Sequence, residues 1–367
     1  MSGNKYVLAL AFDISGAFDN PIAYADDILI LVAGNARVEL QNKGQEVATR
    51  VSNWCAKRKL TLSAEKTEML LLKGKLDVER PPVIRVNSKS IRMRQVIKYL
   101  GVHFEAGLKI YRHLQETATK CRNLINSLAK VAKAKWGLGH AAMRILYKGL
   151  FEPITTYAAA GWSDMLNGRS RRILLKSQRL ALLRVTKAYR TTSTEALQVI
   201  AGVMPIDILV EIRAEMHKTK RGYEVPRPVG EIVQTARDIW QERWRTSQKG
   251  RVTFDYFGDV SIRLRQRWVE PDHYTTQFLS GHGDFNAKLK TFQLSEVDTC
   301  DCGAIETPQH VLEECQIYGN ERRTLQNALS ELELDWPVEK RGFISEEVYP
   351  HFHQFARSVL LQKEERK

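Results

Sequence analysis

The pattern of hydrophobic and polar positions predicts strands in the first third of the chain. Short apolar, partly β-branched runs suit strands that are buried on both faces. Such runs occur at residues 6–12, 28–32, 68–72, 83–86 and 96–104. The tripeptides Asp19-Asn20-Pro21 and Asn87-Ser88-Lys89 have the composition of turns, and the second predicts a hairpin.

Helical periodicity appears once in this region and dominates the chain beyond it. Between residues 38 and 60, apolar side chains recur at helical spacing, at Val47, Val51, Trp54 and Cys55. From 108 to about 216, amphipathic stretches are interrupted by glycine-containing segments at 137–139, 167–168 and 202–205. Residues 1–105 are therefore predicted to form a small α+β unit and residues 106–224 a helical bundle.

The last part of the chain, residues 225–367, is also predicted to be mainly helical. It opens with Val225-Pro226-Arg227-Pro228, which is typical of a linker or bend. A helix with Trp240 and Trp244 follows, then a cluster of cysteine and histidine, then an amphipathic helix near residues 347–363. The fold class predicted for the whole chain is α+β.

The net charge of +14 is concentrated in the predicted bundle. Residues 106–190 hold 17 basic and 3 acidic side chains, whereas residues 1–105 hold 16 and 11, and residues 191–367 hold 23 and 28. A basic block on an otherwise near-neutral chain is typical of a protein that binds a polyanion, most simply nucleic acid. A solvated helix face is the alternative, although 3 acidic residues in this block provide few ion-pair partners.

The remaining composition is that of an intracellular globular protein. Hydrophobic residues make up 43% of the chain and charged residues 27%. No stretch approaches the roughly 18 to 20 apolar residues of a membrane span, and the run at 6–12 lacks the features of a secretory signal. We expect a nuclear or cytoplasmic location, no secretion and no membrane partner; the sequence does not specify an oligomeric state.

Three aspartates near the first two predicted strands are candidate metal ligands. Asp13 ends the first apolar run, and Asp26 and Asp27 precede the second. Nucleotide polymerisation uses two Mg²⁺ ions about 3.5 to 4 Å apart, held by carboxylate oxygens on a rigid sheet. An aspartate pair at a hairpin tip is more often a solvated turn, so the pair alone does not identify this chemistry.

A second candidate metal site lies near the end of the chain. Cys300, Cys302, His310 and Cys315 have the spacing C-x-C-x7-H-x4-C, a Cys3His set that can close a tetrahedron around Zn²⁺. Four protein ligands indicate a structural site with a folding role rather than a catalytic one. Buried free thiols are the alternative. His273 and His282 are interpreted as core or turn histidines.

Four segments taken in order strengthen the interpretation of the aspartates. They are AFDISGAFDN, AYADDILIL, LTLSAEKTEMLLLK and IKYLGVHF, within residues 11–104. Their succession resembles the palm motifs of reverse transcriptases, in particular those of non-LTR (LINE-type) retrotransposons. Residues 146–162 and 182–208 resemble the thumb region of the clade that includes the ribosomal-DNA-inserting elements, and residues 280–315 are similar to its zinc-knuckle region.

The resemblance implies a role for each matching residue of the palm. Asp13, Asp26 and Asp27 match the family's catalytic Mg²⁺ ligands. Phe18 resembles the residue that packs under the incoming sugar, and Lys66 resembles a lysine that acts as general acid or phosphate contact. Considered without the resemblance, Phe18 is also suited to a core and Lys66 to a helix cap.

Nucleic-acid contacts are expected at two places. Residues 98–102 resemble the turn that grips the primer strand, which gives Lys98 and Gly101 that role, although residues 99–101 also suit a strand end. Within the basic bundle, phosphate contacts are predicted at Lys130, Lys133, Lys135, Arg169, Arg171, Arg172, Arg179 and Arg184. Tyr147 and Trp162 are assigned to the core.

The interval between Asp13 and Asp26 is only 12 residues long. In the family this interval holds several helices, including one that backs the nucleotide and the template. The chain also begins just before the first palm motif, so fingers and an upstream endonuclease are not expected in it. A dozen residues can span about 40 Å, so the carboxylates can still converge. We expect a nucleotide pocket without a wall, and Phe12, Ile14 and Ile28 short of packing partners.

The resemblance and the residues together imply a truncated reverse transcriptase palm at 1–105, a basic thumb-like domain at 106–224 and a zinc-knuckle region at 225–367. The expected function is that of a retrotransposon-encoded RNA-directed DNA polymerase fragment that binds RNA and DNA with little or no synthesis. Mg²⁺ is expected if the chain is active, and Zn²⁺ as a structural ion. One alternative is an active or complementing enzyme of target-primed reverse transcription; another is the non-functional product of a decayed or mis-spliced element.

Overall fold

The computed structural model describes residues 5–15, 27–74, 80–130, 133, 135–223 and 225–366. The side chains of residues 13–15 lie outside this description. Two compact units are present: unit 1 comprises residues 1–117 and 164–170, and unit 2 comprises residues 118–163 and 171–367. The strands described lie in unit 1, whereas unit 2 is helical.

A mixed β-sheet forms the centre of unit 1. The strands are β1 (Tyr6–Ser15), β2 (Asp27–Gly34), β3 (Thr61–Leu62), β4 (Glu68–Lys73), β5 (Arg85–Val86), β6 (Lys89–Ser90), β7 (Arg92–Arg94), β8 (Val96–Tyr99) and β9 (Val102–Glu105). The main sheet has the order β2-β1-β4-β7, and β3 also pairs with β1. β1 runs antiparallel to β2 and β4, and β4 runs parallel to β7. The apolar run at 6–12 thus becomes a central strand.

Successive side chains of β1 point to opposite faces of the sheet, and both faces are covered by hydrophobic side chains. Leu8, Leu10 and Phe12 lie in a core shared with α1 (Arg37–Lys57), whereas Ala9 lies in a second cluster on the other face. This two-sided burial explains the uninterrupted apolar sequence of the strand. The helix predicted between residues 38 and 60 is confirmed by α1.

The expectation that Phe12 lacks packing partners is wrong. Its side chain is 2% exposed and lies in the same core as Leu40 and Ala48 of α1. Ile28 is half-buried and packs against this core as well. The side chain of Ile14 is outside the described part of the chain. One helix on this face is therefore enough to cover the sheet at Phe12.

Two tight hairpins follow the main strands. Asn87 and Ser88 have φ of 48° and 65° and connect β5 to β6, which confirms the predicted turn but places Lys89 in a strand. Residues 96–104, predicted from their apolar pattern as strand, form the hairpin β8–β9, whose turn lies within residues 98–102, where the resemblance places a turn. Its turn consists of Leu100 and Gly101, whose φ values are 44° and 81°. Two consecutive left-handed residues reverse the chain there, an effect that the apolar run alone did not indicate.

The helices beyond the sheet begin and end close to the predicted interruptions. They are α2 (Tyr111–Leu128), α3 (His140–Leu146), α4 (Glu152–Thr156), α5 (Gly168–Thr186), α6 (Thr194–Ala201), α7 (Ile206–Lys220), α8 (Val229–Thr246), α9 (Arg251–Tyr256), α10 (Val260–Arg265), α11 (His273–Ser280), α12 (Asn286–Thr291), α13 (Gly319–Glu331) and α14 (Tyr349–Glu365). The Pro-rich segment lies between α7 and α8, as predicted, and the final amphipathic helix is α14. No helix of the described ranges is both long and apolar enough to cross a membrane.

The core of unit 2 is rich in aromatic side chains. Trp240 and Trp244 of α8 are buried in it together with Phe278 and Phe352, and Ile200 of α6 belongs to the same cluster. The cluster therefore includes residues from both sides of the Pro-rich segment. A separate thumb-like domain at 106–224 and C-terminal region at 225–367 remain a prediction.

Candidate metal centres and nucleic-acid interface

The β1–β2 hairpin places the first two aspartate segments side by side. In its antiparallel register the Cα of Asp13 is paired with the Cα of Asp27. Residues directly opposite in an antiparallel pair have Cβ atoms about 4.5 to 5.5 Å apart and share one face of the sheet. The backbone register therefore brings these two aspartate positions together at one end of the β1–β2 pair. Asp26 and Phe18 lie outside the described residues.

The β8–β9 hairpin lies close to Asp27. Tyr99, at the end of β8, has a pKa raised above its usual value mainly by burial and secondarily by the negative charge of Asp27. Lys98 beside it is exposed, and Gly101 forms the turn. The separate two-stranded sheet β8–β9 thus brings the phenol of Tyr99 near the carboxylate of Asp27, with the exposed Lys98 next to Tyr99 in sequence.

Lys66 lies in the turn before β4 and is exposed. Its backbone N–H donates to Ser63 Oγ at 3.3 Å. The alternative that it caps a helix is wrong, because this turn connects two strands.

The four predicted zinc ligands converge. The Sγ atoms of Cys300 and Cys315 are 3.6 Å apart, those of Cys302 and Cys315 are 3.8 Å apart, and Cys302 Sγ is 3.1 Å from His310 Nε2. All four candidate ligand atoms lie within 4.8 Å of one another. Two thiolates bound to a tetrahedral Zn²⁺ at about 2.3 Å are about 3.8 Å apart, so the cluster fits one ion.

The local fold explains how these side chains meet. Gly303 has φ of 92° and turns the chain directly after the C-x-C pair. Thr307 Oγ1 accepts a hydrogen bond from the N–H of His310 at 3.0 Å, which caps the following helical turn. The other ring nitrogen of His310, Nδ1, lies 3.4 Å from Glu314 Oε2. A carboxylate at this position is the usual partner of a metal-bound histidine, since it fixes the orientation of the ring.

A buried arginine supports the cluster from behind. Arg322 of α13 donates hydrogen bonds to the backbone carbonyls of Val311, Leu312 and Cys315 at 2.7 to 3.1 Å. It therefore ties the last thiol to the core of unit 2.

The thiols differ in environment. Burial raises the pKa of Cys300 to about 12 and that of Cys315 above its usual value. A hydrogen bond from the backbone of Ala304 lowers the pKa of the exposed Cys302 to about 7. Without a cation, a thiolate therefore forms most readily at Cys302.

The predicted phosphate contacts fall into two groups. Several are exposed, namely Lys98, Lys130, Lys133, Lys135, Arg169, Arg172 and Arg184. Of these, Lys135 forms an ion pair with Glu364 at 2.6 Å, and Arg169 stacks over the ring of Tyr111 at 4.1 Å. The rest are half-buried and engaged in contacts within unit 2.

The half-buried members are Arg171 and Arg179. Arg171 pairs with Glu211 and lies 3.8 Å from Asp207 Oδ2, so its charge is already compensated. Arg179 donates to the carbonyl of Arg190 at 2.5 Å and to Thr194 Oγ1 at 3.3 Å. A guanidinium has five N–H donors, so Arg179 retains capacity for a further acceptor.

Comparison with known proteins adds decisive information to this geometry. The family described as reverse transcriptase (RNA-dependent DNA polymerase) matches residues 19–104. A Pol polyprotein from the type-1 retrotransposable element R1 4 of Nasonia vitripennis is 33% identical over 82% of this chain and 85% of the relative. The chain belongs to the R1-type retrotransposon reverse transcriptases.

Two longer members of the R1-type family align with nearly all of this chain. The Pol polyprotein of an R1 element of Bradysia coprophila is 31% identical over 96% of this chain and 37% of its own length. A putative 115 kDa protein of the R1DM element of Drosophila melanogaster is 32% identical over 93% of this chain and 35% of its own length. No solved structure matches the chain.

Membership of the R1-type family confirms the resemblance to reverse transcriptases of non-LTR retrotransposons, and the assignment of thumb and zinc-knuckle regions remains a prediction. The reverse transcriptase match begins at residue 19 and so starts after Asp13. It includes Asp26, Asp27, Lys66 and Lys98. The individual roles of these residues remain predictions.

The prediction from sequence missed one exposed cation on α5. Arg172, Lys176 and Arg184 are separated by 4 and 8 residues, which places them within an arc of about 120° of the helix surface, and all three are exposed. The helical period of this segment was visible in the sequence and would have indicated Lys176. We refer to these three residues as the α5 basic stripe.

Proposed function

We propose that this R1-type chain binds RNA and DNA through exposed basic residues of its helical region, and that it synthesises DNA weakly or not at all. The observation that carries the binding proposal is the α5 basic stripe. Arg172 and Arg184 are 12 residues apart, about 18 Å along the helix axis. At about 3.4 Å per nucleotide step, this length corresponds to roughly five steps of a nucleic-acid strand.

The low synthetic activity is inferred from the palm. Asp13, Asp26 and Asp27 would hold Mg²⁺, which would activate the primer hydroxyl and carry the triphosphate. Positioning a triphosphate for in-line attack requires a rigid wall on the opposite side of the nucleotide. The 12 residues between Asp13 and Asp26 are too few to provide the helices that form this wall in the family.

A second candidate function is that of an active or complementing reverse transcriptase. The backbone register that pairs Asp13 with Asp27 favours it, because two of the three aspartate positions are then neighbours on adjacent strands. In this case a second chain would supply the missing wall. Synthesis would then appear only in a mixture of the two chains.

Fluorescence anisotropy of a labelled RNA/DNA hybrid across a salt series tests the binding proposal. The triple variant Arg172→Gln/Lys176→Gln/Arg184→Gln removes the α5 basic stripe. The matched control Lys220→Gln/Arg265→Gln/Arg323→Gln removes three exposed charges on α7, α10 and α13. We expect the stripe variant to reduce the salt slope of log K by up to about 3, or about 1 per phosphate contact, and the control to preserve it.

Mg²⁺ and nucleotides added to the same samples test synthesis. We expect binding without primer extension. Extension by this chain alone that is abolished by Asp27→Asn would establish an active enzyme instead, and extension only after a second chain is added would establish a complementing one. A folded chain with no salt-sensitive affinity would refute the binding proposal and agree with the product of a decayed element.

A further inference from the structure

Trp136 of unit 2, between α2 and α3, is exposed to solvent. Its relative exposure is 61%. The other six tryptophans of the chain are buried or half-buried, namely Trp54, Trp162, Trp240, Trp244, Trp268 and Trp336. Folding normally buries most of a tryptophan side chain, and tryptophans that stay at a surface are enriched in interfaces. Trp136 is therefore a candidate contact residue.

The chain around Trp136 carries basic side chains and no acidic ones. From residue 117 to residue 151 the sequence contains five lysines, two arginines and no aspartate or glutamate. Three of the lysines, Lys130, Lys133 and Lys135, lie within six residues of Trp136, and all three are exposed. A partner with negative charge is therefore complementary to this segment.

One of the three lysines is engaged within the protein. Lys135 Nζ lies 2.6 Å from Glu364 Oε2 of α14, so this ion pair joins the segment to a helix that is distant along the chain. Lys130 and Lys133 form no ion pair within the part of the chain that the structure describes. The ion pair of Lys135 thus anchors the segment, and the charges of Lys130 and Lys133 are available to a partner.

The backbone brings Trp136 and Lys133 together. The N–H of Lys133 donates to the carbonyl of Trp136 at 3.0 Å. Gly137 follows with φ of 88°, a left-handed conformation that glycine adopts without strain, and turns the chain directly after Trp136. A side chain on a backbone that is ordered before binding loses less conformational entropy when a ligand covers it. We refer to Lys130, Lys133 and Trp136 as the Trp136 surface.

An exposed indole beside two available cations matches the chemistry of an unpaired nucleotide. Phosphates are attracted to the lysines, and every base has a flat face that stacks on an aromatic ring. Bases inside a duplex have both faces covered by their neighbours and offer none to the indole. Among the described residues between 130 and 139, Trp136 is the one exposed apolar side chain, which favours a stacked base over a membrane, since membrane binding uses a larger apolar face.

We propose that the Trp136 surface binds single-stranded nucleic acid, with Trp136 stacking on one unpaired base and with Lys130 and Lys133 contacting the phosphates that flank it. This inference rests on the proposed function, to which it adds a preference for unpaired nucleotides. The α5 basic stripe contacts phosphates, which single strands and hybrids share. Trp136 supplies the contact that distinguishes the two.

Quenching of tryptophan fluorescence by acrylamide measures the contact directly. A neutral quencher is used because a bound polyanion repels iodide. The difference between wild type and Trp136→Phe isolates the emission of Trp136, which acrylamide should quench readily because this indole is exposed. Saturating the full chain with a short single-stranded oligonucleotide should protect this emission. Bound oligonucleotide that leaves the emission of Trp136 as accessible to acrylamide as before would overturn the proposal.

Fluorescence anisotropy of the labelled single strand measures the contribution of stacking. We expect Trp136→Ala to weaken binding about tenfold, and Trp136→Phe, which keeps a smaller ring, to weaken it less. The melting temperature should stay at the wild-type value in both variants, because the side chain is exposed. Tyr223→Ala removes an aromatic side chain of 77% exposure between α7 and α8, and this control should bind as the wild type does.

The salt dependence of the same titrations separates the ring from the charges. Trp136→Ala removes no charge, so the slope of log K against log salt should remain that of the wild type. Lys130→Gln/Lys133→Gln should reduce this slope by about 1.4, at roughly 0.7 per phosphate contact of a single strand. A double-lysine variant with the wild-type slope would refute the phosphate contacts.

A strand of the same length without bases tests whether Trp136 acts through a base. Wild type and Trp136→Ala should bind this sugar-phosphate strand with equal affinity, because the indole has no base to stack on. An equal loss of affinity in Trp136→Ala for strands with and without bases would show that Trp136 acts through the fold, which would overturn the proposal. DNA and RNA versions of the strand with bases show whether one or both are bound in this way.

These measurements also separate this inference from the proposed function. If strands and hybrids bind the wild type with salt-sensitive affinity, and Trp136→Ala binds them equally well, the stacking proposal fails and the proposed function stands. If the folded wild type binds neither, the proposed function fails and the inference fails with it. Protection of Trp136 by vesicles of anionic phospholipid, and not by the oligonucleotide, would assign the surface to a membrane and overturn the proposal.

Discussion

Acidification should destabilise the protein through one buried histidine, His140. Its side chain is 6% exposed at the start of α3, and its Nδ1 lies 3.1 Å from the carbonyl of Val185. Its Nε2 has no partner among the described residues. Burial, and next the positive charge of Arg263, lower the pKa of His140 to about 3 from the ordinary value of 6.5. The folded protein therefore keeps this imidazole neutral.

The sign of the effect follows from proton binding. Below pH 6.5 the unfolded chain takes up a proton at His140 and the folded chain does not, so stability is full above pH 6.5 and is lost as pH falls toward 3. At pH 5 this difference amounts to about 2 kcal/mol of unfolding free energy, at 1.36 kcal/mol per pH unit. Any folded pKa below about 4 gives the same figure at pH 5, so the expected loss does not depend on the depth of the shift.

Urea denaturation at pH 7 and pH 5 measures this loss. We expect the unfolding free energy of the wild type to fall by about 2 kcal/mol more than that of His140→Gln over this interval. The exposed His351→Gln serves as control and should retain the wild-type dependence. Equal pH dependence of wild type and His140→Gln would show that the folded protein admits a proton at this site, which would refute the reasoning from burial.

Three further predictions concern the zinc cluster, a turn and an ion pair. Purified protein should contain about one zinc ion per chain by atomic absorption, and absence of zinc from the wild type would favour free thiols. Cys315→Ser should lose the ion and lower the melting temperature, because the remaining cysteines, without the metal, no longer close the loop. Ser88→Gly should raise the unfolding free energy by about 0.5 to 1 kcal/mol in urea, since Ser88 has φ of 65°, and Lys89→Gly in the adjacent strand should not. Asp207→Asn should lower the unfolding free energy by about 3 kcal/mol, because the Asp207 carboxylate is buried and charge-paired. Asp207 is 2% exposed, and its two oxygens each lie 3.0 Å from Arg243 Nη1. A loss of unfolding free energy below about 1 kcal/mol would contradict this reasoning.

Local chemistry decided much of what the sequence predicted correctly. The helix interruptions at 137–139, 167–168 and 202–205 depend on glycine and on helix termini, which act over a few residues. The spacing of Cys300, Cys302, His310 and Cys315 is also local, and the four ligand atoms lie together. Local patterns of this kind are readable because neighbouring residues determine them.

The errors came from contacts between distant residues. The apolar run at 96–104 did not by itself indicate a hairpin, although the resemblance of residues 98–102 to a turn did, and the structure places the turn at Leu100 and Gly101. Phe12 was expected to lack partners, but α1 covers it. Packing of this kind depends on which elements meet, and a single strand pattern does not specify its partner.

By itself, the sequence determined the non-LTR reverse transcriptase family, the α+β class, the basic helical region and the membership of the Cys3His cluster. These features follow from residue types at short, fixed spacings. Only the tertiary structure decided that Asp13 is paired with Asp27, that Arg171 is neutralised by Glu211, and that Lys135 is paired with Glu364. Each of these contacts joins segments that are distant in the chain. Hydrophobic burial of the helices and strands between them, and not the identity of the contacting residues, determines which segments meet.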